Sequence, residues 1–325
     1  MEHLNERIIR EISKGLPNNV KPVNYLMDIL CIGKESAYRR LKNQIPFTFE
    51  EVAMIANDIG FSIDTLVKKD KKERIFFDLI DNMEKDDSSN IIDMFKNNIR
   101  IMKELGNATN VMIVAAINHI PMQFLPFEML FKLSYCRYLH SNGNIPLPSK
   151  FSDISIPPEL KKLHEESVFY FDRIRNITCI VDNGIFTKTI KEIQYYYKRN
   201  FISREDLSLL QKELIKLLNF AERLIRTGLN DIGSNYFIYY SSFSIDTNCV
   251  YYEYDGKVMS QIWLYLESPI IINESRLMCE KQKRWMDAKM KYSVLISRSN
   301  DILQSEIIRE LSSQINSTCP DKIFG

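Results

Sequence analysis

Between residues 20 and 67 the apolar positions recur every three or four residues, in short runs divided by tight breaks. That is the spacing of packed helices. Leu26, Ile29 and Leu30 make one face, and a break at Cys31, Ile32 and Gly33 separates it from a second run over residues 34–42. Ile32 is placed to tuck between the two helices, and Ala37 is small enough to let them cross closely. Gly33 stands at the N-cap of the second helix, a role glycine fills. Thr48 and Glu51 have the spacing of a capping box ahead of a third run, whose apolar face is Val52, Ile55, Ala56 and Ile59. Gly60 stops that helix, and a short last one opens at Ser62.

Beyond this block the pattern changes. A charged run occupies residues 68–74, an apolar cluster follows, and the polar stretch 84–89 reads as a hinge. The chain therefore divides into a domain over residues 1–70, a linker over 71–90 and a larger domain over 91–325. In the larger part Ile92, Phe95, Ile99 and Met102 recur at helical spacing, with Asn90 as cap and Gly106 as stop. Residues 111–118 read as a buried strand, and helices are expected over 127–140 and 158–174. Ser203 and Asp206 form a second capping box, ahead of Leu207, Leu210, Leu214, Leu217, Ala221 and Leu224, with Gly228 as the stop. Strands follow at 236–245, 249–254 and 257–267, the last two flanking Asp255-Gly256, a strong hairpin signal. Helices over 274–291 and 301–314 enclose a short strand at 292–297. The class is thus an all-α N-terminal domain followed by an α+β domain with an antiparallel sheet and several long helices.

Composition narrows the field. The 325 residues are 45% hydrophobic and 26% charged, which suits a folded protein with a sizeable core. The polar start and the lack of an apolar run near 18 residues point away from a secretory signal or a membrane span, so a cytoplasmic location is expected. Six scattered cysteines without a CxxC pair are expected to be buried free thiols rather than zinc ligands or a disulfide framework.

The net charge of +1 requires any DNA-binding surface to be local. Residues 1–70 balance ten Lys/Arg against ten Asp/Glu, whereas residues 34–42 carry a net +3 and residues 68–74 another +3. Those two segments are the local clusters of basic charge that a polyanionic partner would require.

The residues Ser36, Tyr38, Arg39, Arg40, Leu41, Phe47, Thr48, Glu50, Glu51, Ile55, Ala56, Ile59, Gly60, Ser62, Asp64 and Leu66 carry a resemblance. In their order and spacing this segment resembles the λ-repressor/Xre helix-turn-helix family, in the shorter form of Bacteroidetes-type regulators with a large C-terminal domain. It departs from the pattern at the turn, where Cys31 replaces the usual glycine and must accept an unusual φ. The resemblance implies that residues 34–42 form the recognition helix, with its leading end at base edges in the major groove. Lys34, Glu35, Ser36, Tyr38 and Arg39 then face the bases, Arg40 and Lys42 extend the basic stretch, and Asn43 and Gln44 suit phosphate contacts.

The larger domain carries no GxSxG, P-loop, GxGxxG or HExxH, so neither an enzyme nor a cofactor is expected. His119 ends a strand, as a core histidine or a site would, and His164 lies in a charged stretch expected at the surface. The tyrosines at 195–197, 236, 239–240 and 251–252 suit ordinary packing or a pocket lining. Trp263 and Trp285 fit either packing on one another or a ligand. The run from Leu207 to Leu224 reads equally as the seam of a homodimer or as an intramolecular core helix. The expectation is a bacterial transcriptional regulator that binds double-stranded DNA, as a homodimer, with a C-terminal dimerisation or sensor domain for an unspecified small-molecule effector. The alternative is a protein-interaction module without specific DNA binding.

Overall fold

A computed structural model describes residues 4–17, 20–61, 63, 66, 78–79, 89–121, 124–141, 148–263, 269–272 and 276–317. The charged run at 68–74, the Ser62 cap, Asp64 and nearly all of the expected linker lie outside the described residues. The chain separates into two compact units, one before residue 78 and one after it.

The first unit is helical: α1 (Leu4–Gly15), α2 (Pro22–Leu30), α3 (Lys34–Leu41) and α4 (Phe49–Ile59). Ile8, Ile12, Leu26, Ala37, Val52, Ile55 and Leu66 form its buried centre. Each helix end follows from a local device. The Thr48 hydroxyl accepts from the Glu51 amide at 3.2 Å while the Glu51 carboxylate accepts from the Thr48 amide at 3.1 Å, completing the capping box. Gly60 closes α4 at φ 81°, a left-handed conformation that favours glycine. α1 was absent from the expectations, because Glu, Arg and Lys interrupt its apolar positions; its Ile8 and Ile12 are nonetheless core residues.

The second unit is an eight-stranded mixed sheet with helices. Its elements are β1 (Asp78–Leu79), α5 (Ser89–Asn107), β2 (Val111–Ile117), α6 (Glu128–Ser141), α7 (Pro158–Asp172), β3 (Asn176–Val181), α8 (Thr187–Lys198) and α9 (Arg204–Thr227). They continue with β4 (Asn235–Ser241), β5 (Cys249–Tyr254), β6 (Lys257–Trp263), β7 (Pro269–Ile272), α10 (Arg276–Lys291), β8 (Ser293–Leu295) and α11 (Asp301–Asn316). Strand order is β1-β7-β6-β5-β2-β3-β4-β8.

The α+β class holds, but the sheet is not uniformly antiparallel. β2, β3 and β4 run parallel at its centre, and the other pairings are antiparallel. Parallel neighbours need crossovers, supplied by α6 with α7 and by α8 with α9. Alternation divides the strands between two cores. Ile113, Ile177, Ile238 and Tyr252 meet the larger apolar cluster with α5–α9 and α11. Val114, Ala116, Ile180 and Tyr251 face the other way and pack with Cys279 and Met286 of α10.

Further expectations are corrected or decided. Gly106 does not stop α5, which runs on to Asn107, and Asn90 is a buried residue inside the helix. Of the two readings of the α9 leucines, the intramolecular core helix is the one found, since they are buried in the unit's own core. His164 is buried rather than superficial: its Nε2 donates to the Leu125 carbonyl at 3.0 Å and its ring stacks on Phe131. Its placement on α7 turns it inward, a direction its charged sequence neighbours conceal. Cys31 is an exposed thiol, whereas Cys136, Cys249 and Cys279 are buried.

Candidate nucleic-acid interface

The first unit presents α3 through a compact turn. Cys31 ends α2 at φ 52° and ψ 42°, so a non-glycine residue does occupy the left-handed position. Gly33 follows in extended conformation as the N-cap of α3. Only Cys31 and Ile32 stand between α2 and Gly33, and the fully buried Ala37 keeps bulk out of the contact between the helices.

The C-terminus of α3 is fixed by a complete Schellman motif. Asn43 adopts φ 59°, its amide donates to the Arg40 carbonyl at 2.9 Å, and the Gln44 amide donates to the Arg39 carbonyl at 2.8 Å. Asparagine tolerates this conformation better than other non-glycine residues. Its side chain is held as well: Asn5 Nδ2 of α1 donates to Asn43 Oδ1 at 2.7 Å, and Asn5 Oδ1 accepts from the Phe47 amide at 3.0 Å. Asn5 thus ties α1 to the α3–α4 loop. Sequence reasoning missed it, since a lone asparagine in an unassigned helix gives no signal.

The nine residues singled out from sequence divide into two groups. Lys34, Glu35, Tyr38, Arg39 and Lys42 are exposed and share one stripe of α3 at spacings of four or eight and the adjacent positions. Gln44 is exposed just past the helix. Arg40 and Ser36 are half-buried with internal partners, and Asn43 is exposed but has its side chain held by Asn5. The Arg40 guanidinium makes a two-pronged pair with Glu51, Nε to Oε2 at 2.9 Å and Nη2 to Oε1 at 2.6 Å, and its Nη1 donates to Ser36 Oγ at 2.6 Å. This pair is mostly shielded, with side-chain exposures of 11% and 15%.

Glu51 therefore serves both the cap of α4 and the clamp on α3. Burial works against its charge, but the Arg40 hydrogen bonds, the Thr48 amide and the guanidinium charge outweigh that. They hold its carboxyl below the ordinary 4.5. The exposed stripe keeps Lys34, Arg39 and Lys42 against Glu35, a locally cationic face with Tyr38 in its middle.

Among the described residues no three His, Cys, Asp or Glu side chains converge as metal ligands, and no helix is long and apolar enough to cross a membrane. Residues 12–80 match the family model of the BetR domain, a helix-turn-helix-like DNA-binding module. The match takes in α2, α3 and α4 and leaves the α/β portion beyond residue 80 unmatched. No curated protein and no solved structure matches the chain.

Proposed function

We propose that the chain is a bacterial, cytoplasmic transcriptional regulator whose first unit reads double-stranded DNA by inserting α3 into the major groove. The observation that carries this reading is the exposed stripe Lys34, Glu35, Tyr38, Arg39 and Lys42, held out on a helix anchored at both ends. Lysine and arginine donate to guanine edges or phosphates, and a carboxylate accepts from cytosine N4. The match to a DNA-binding module over the same segment supports it. In this reading the second unit regulates or dimerises, because two-fold operators are met by two-fold proteins. It assigns no catalytic role and no cofactor.

Phe49 is 71% exposed at the start of α4, and Tyr38 is also exposed. These two aromatics favour, as a second reading, a helical module that docks on another protein.

Selection of the full-length protein on a randomised duplex library, at two salt concentrations, separates the readings. Enrichment of an inverted repeat with half-sites about one helical turn apart is the result expected of a dimeric regulator. Weak, strongly salt-dependent binding with no enriched motif would displace it in favour of protein docking.

A further inference from the structure

Across the middle of the sheet three small or medium side chains lie in one register row. Ala115 of β2 pairs with Cys179 of β3 on one side and with Val250 of β5 on the other. In the next row on the same face, Ile113 stands beside Tyr252. The step down in size leaves a cavity of about 60 Å³ between the sheet, α5 and the end of α7, walled by Met102, Phe124 and Phe171 among others. At about 10–15 Å³ for each water-sized group, it has room for roughly four to six heavy atoms.

One wall residue is polar and incompletely satisfied. Tyr252 donates its hydroxyl to Gln261 Oε1 at 2.8 Å, and Gln261 Nε2 donates to Asn98 Oδ1 at 3.0 Å. This relay fixes the orientation of the Asn98 amide and commits its oxygen. Asn98 is 3% exposed, and its Nδ2 has no partner. A buried donor without an acceptor is uncommon and marks a place where a partner belongs. Water needs two to four polar partners and fits this lining poorly. Asn248, also at the wall, commits its amide to Asn118 and His119.

We propose that this cavity binds a small neutral molecule, apolar except for one carbonyl or ether oxygen that accepts from Asn98 Nδ2. The proposal stands on the second unit alone and does not rest on DNA binding by the first.

The test uses the full-length protein with labelled isoleucine methyl groups, reading Ile113 at the cavity wall. It is titrated with cyclopentanone and with methylenecyclopentane, which has nearly the same shape but lacks the oxygen. Saturable shifts with cyclopentanone, about tenfold tighter than with the hydrocarbon, are expected. Ala115→Leu should fill the space and abolish the shifts, with Cys179→Leu as the second filling variant should the first not fold. Equal affinity for both compounds overturns the role of Asn98. No saturable shift with either, or unchanged binding in a folded filling variant, overturns the site.

Discussion

The Arg40 guanidinium grips the Glu51 carboxylate through two hydrogen bonds of 2.9 and 2.6 Å, joining α3 to the first turn of α4. An arginine inside the basic stretch thus holds α3 in place and leaves its neighbours to face outward. Removing one partner of a mostly buried pair leaves the other charge poorly solvated, at a cost of about 2–4 kcal/mol. Arg40→Ala should lower the resistance of the first unit to denaturant by that amount. Hydrogen exchange of the α3 and α4 amides in the full chain measures it, and protection equal to the parent protein would refute the clamp.

Arg39, the next residue, predicts the opposite pattern. Arg39→Ala and Lys34→Ala should leave that protection unchanged and weaken duplex binding by about 1–3 kcal/mol each where the contact is to a base. A contact to phosphate instead lowers the slope of log K against log salt by about one. Binding isotherms at three salt concentrations distinguish these cases. Undiminished affinity in both variants would remove α3 from the interface.

The lowered Glu51 pKa sets an acid limit on the first unit. A carboxylate whose folded pKa lies below its unfolded value contributes stability fully present above about 4.5. That contribution disappears as pH falls through the lowered folded value. Glu51→Gln should flatten the loss of α3 and α4 protection over this interval. An unchanged acid profile in the variant would mean another group is responsible.

His119 gives the second unit a different window. Burial, with the charges of Arg137 and Lys188, pushes its imidazole down to about 3 from the ordinary 6.5. Between these values the unfolded chain binds a proton that the folded one does not, so stability falls as pH drops from 6.5 towards 3. Tryptophan fluorescence reports this unit, because Trp263 and Trp285 both belong to it. His119→Gln should remove about one proton from the linkage slope between pH 6 and 4. A slope identical to the parent would show that His119 takes up its proton in the folded state as readily as in the unfolded one.

Gly15 closes α1 against α4 so tightly that a Cβ there would overlap Ile59 Cγ2. Alanine is the better helix former by about 1 kcal/mol, but overpacking costs about 1–3 kcal/mol. Gly15→Ala should therefore be neutral to destabilising by about 2 kcal/mol. Adding Ile59→Ala should relieve the overlap, so the double variant should lose less than the sum of the singles in hydrogen-exchange protection. Strict additivity would count against the close approach.

Where a signal was local, the sequence was legible. The capping boxes at Thr48 and Ser203, the stops at Gly60 and Gly228, and the left-handed Cys31 all follow from side chain–backbone chemistry within a few residues. The hairpin at Asp255-Gly256 is of the same kind, with both residues at positive φ. β3 and α8 escaped notice because a six-residue strand covered on both faces lacks clean alternation. Without β3 the parallel centre of the sheet could not be inferred. The candidate interface was half legible. The stripe on α3 follows from helical spacing, but the withdrawal of Arg40 with Ser36 and the tethering of the exposed Asn43 depend on Glu51 and Asn5, 11 and 38 residues away from their partners.

By itself the sequence determined α2, α3 and α4 of the first unit, the caps and stops between them and the face of α3 that carries charge, since each depends on periodicity and contacts within a turn or two. Only the tertiary structure decided which basic residue is a clamp, that the α9 leucines belong to an internal core, and that a row of small residues opens a cavity beside Asn98. Those outcomes depend on which distant side chain arrives alongside, and chain topology rather than local spacing brings it there.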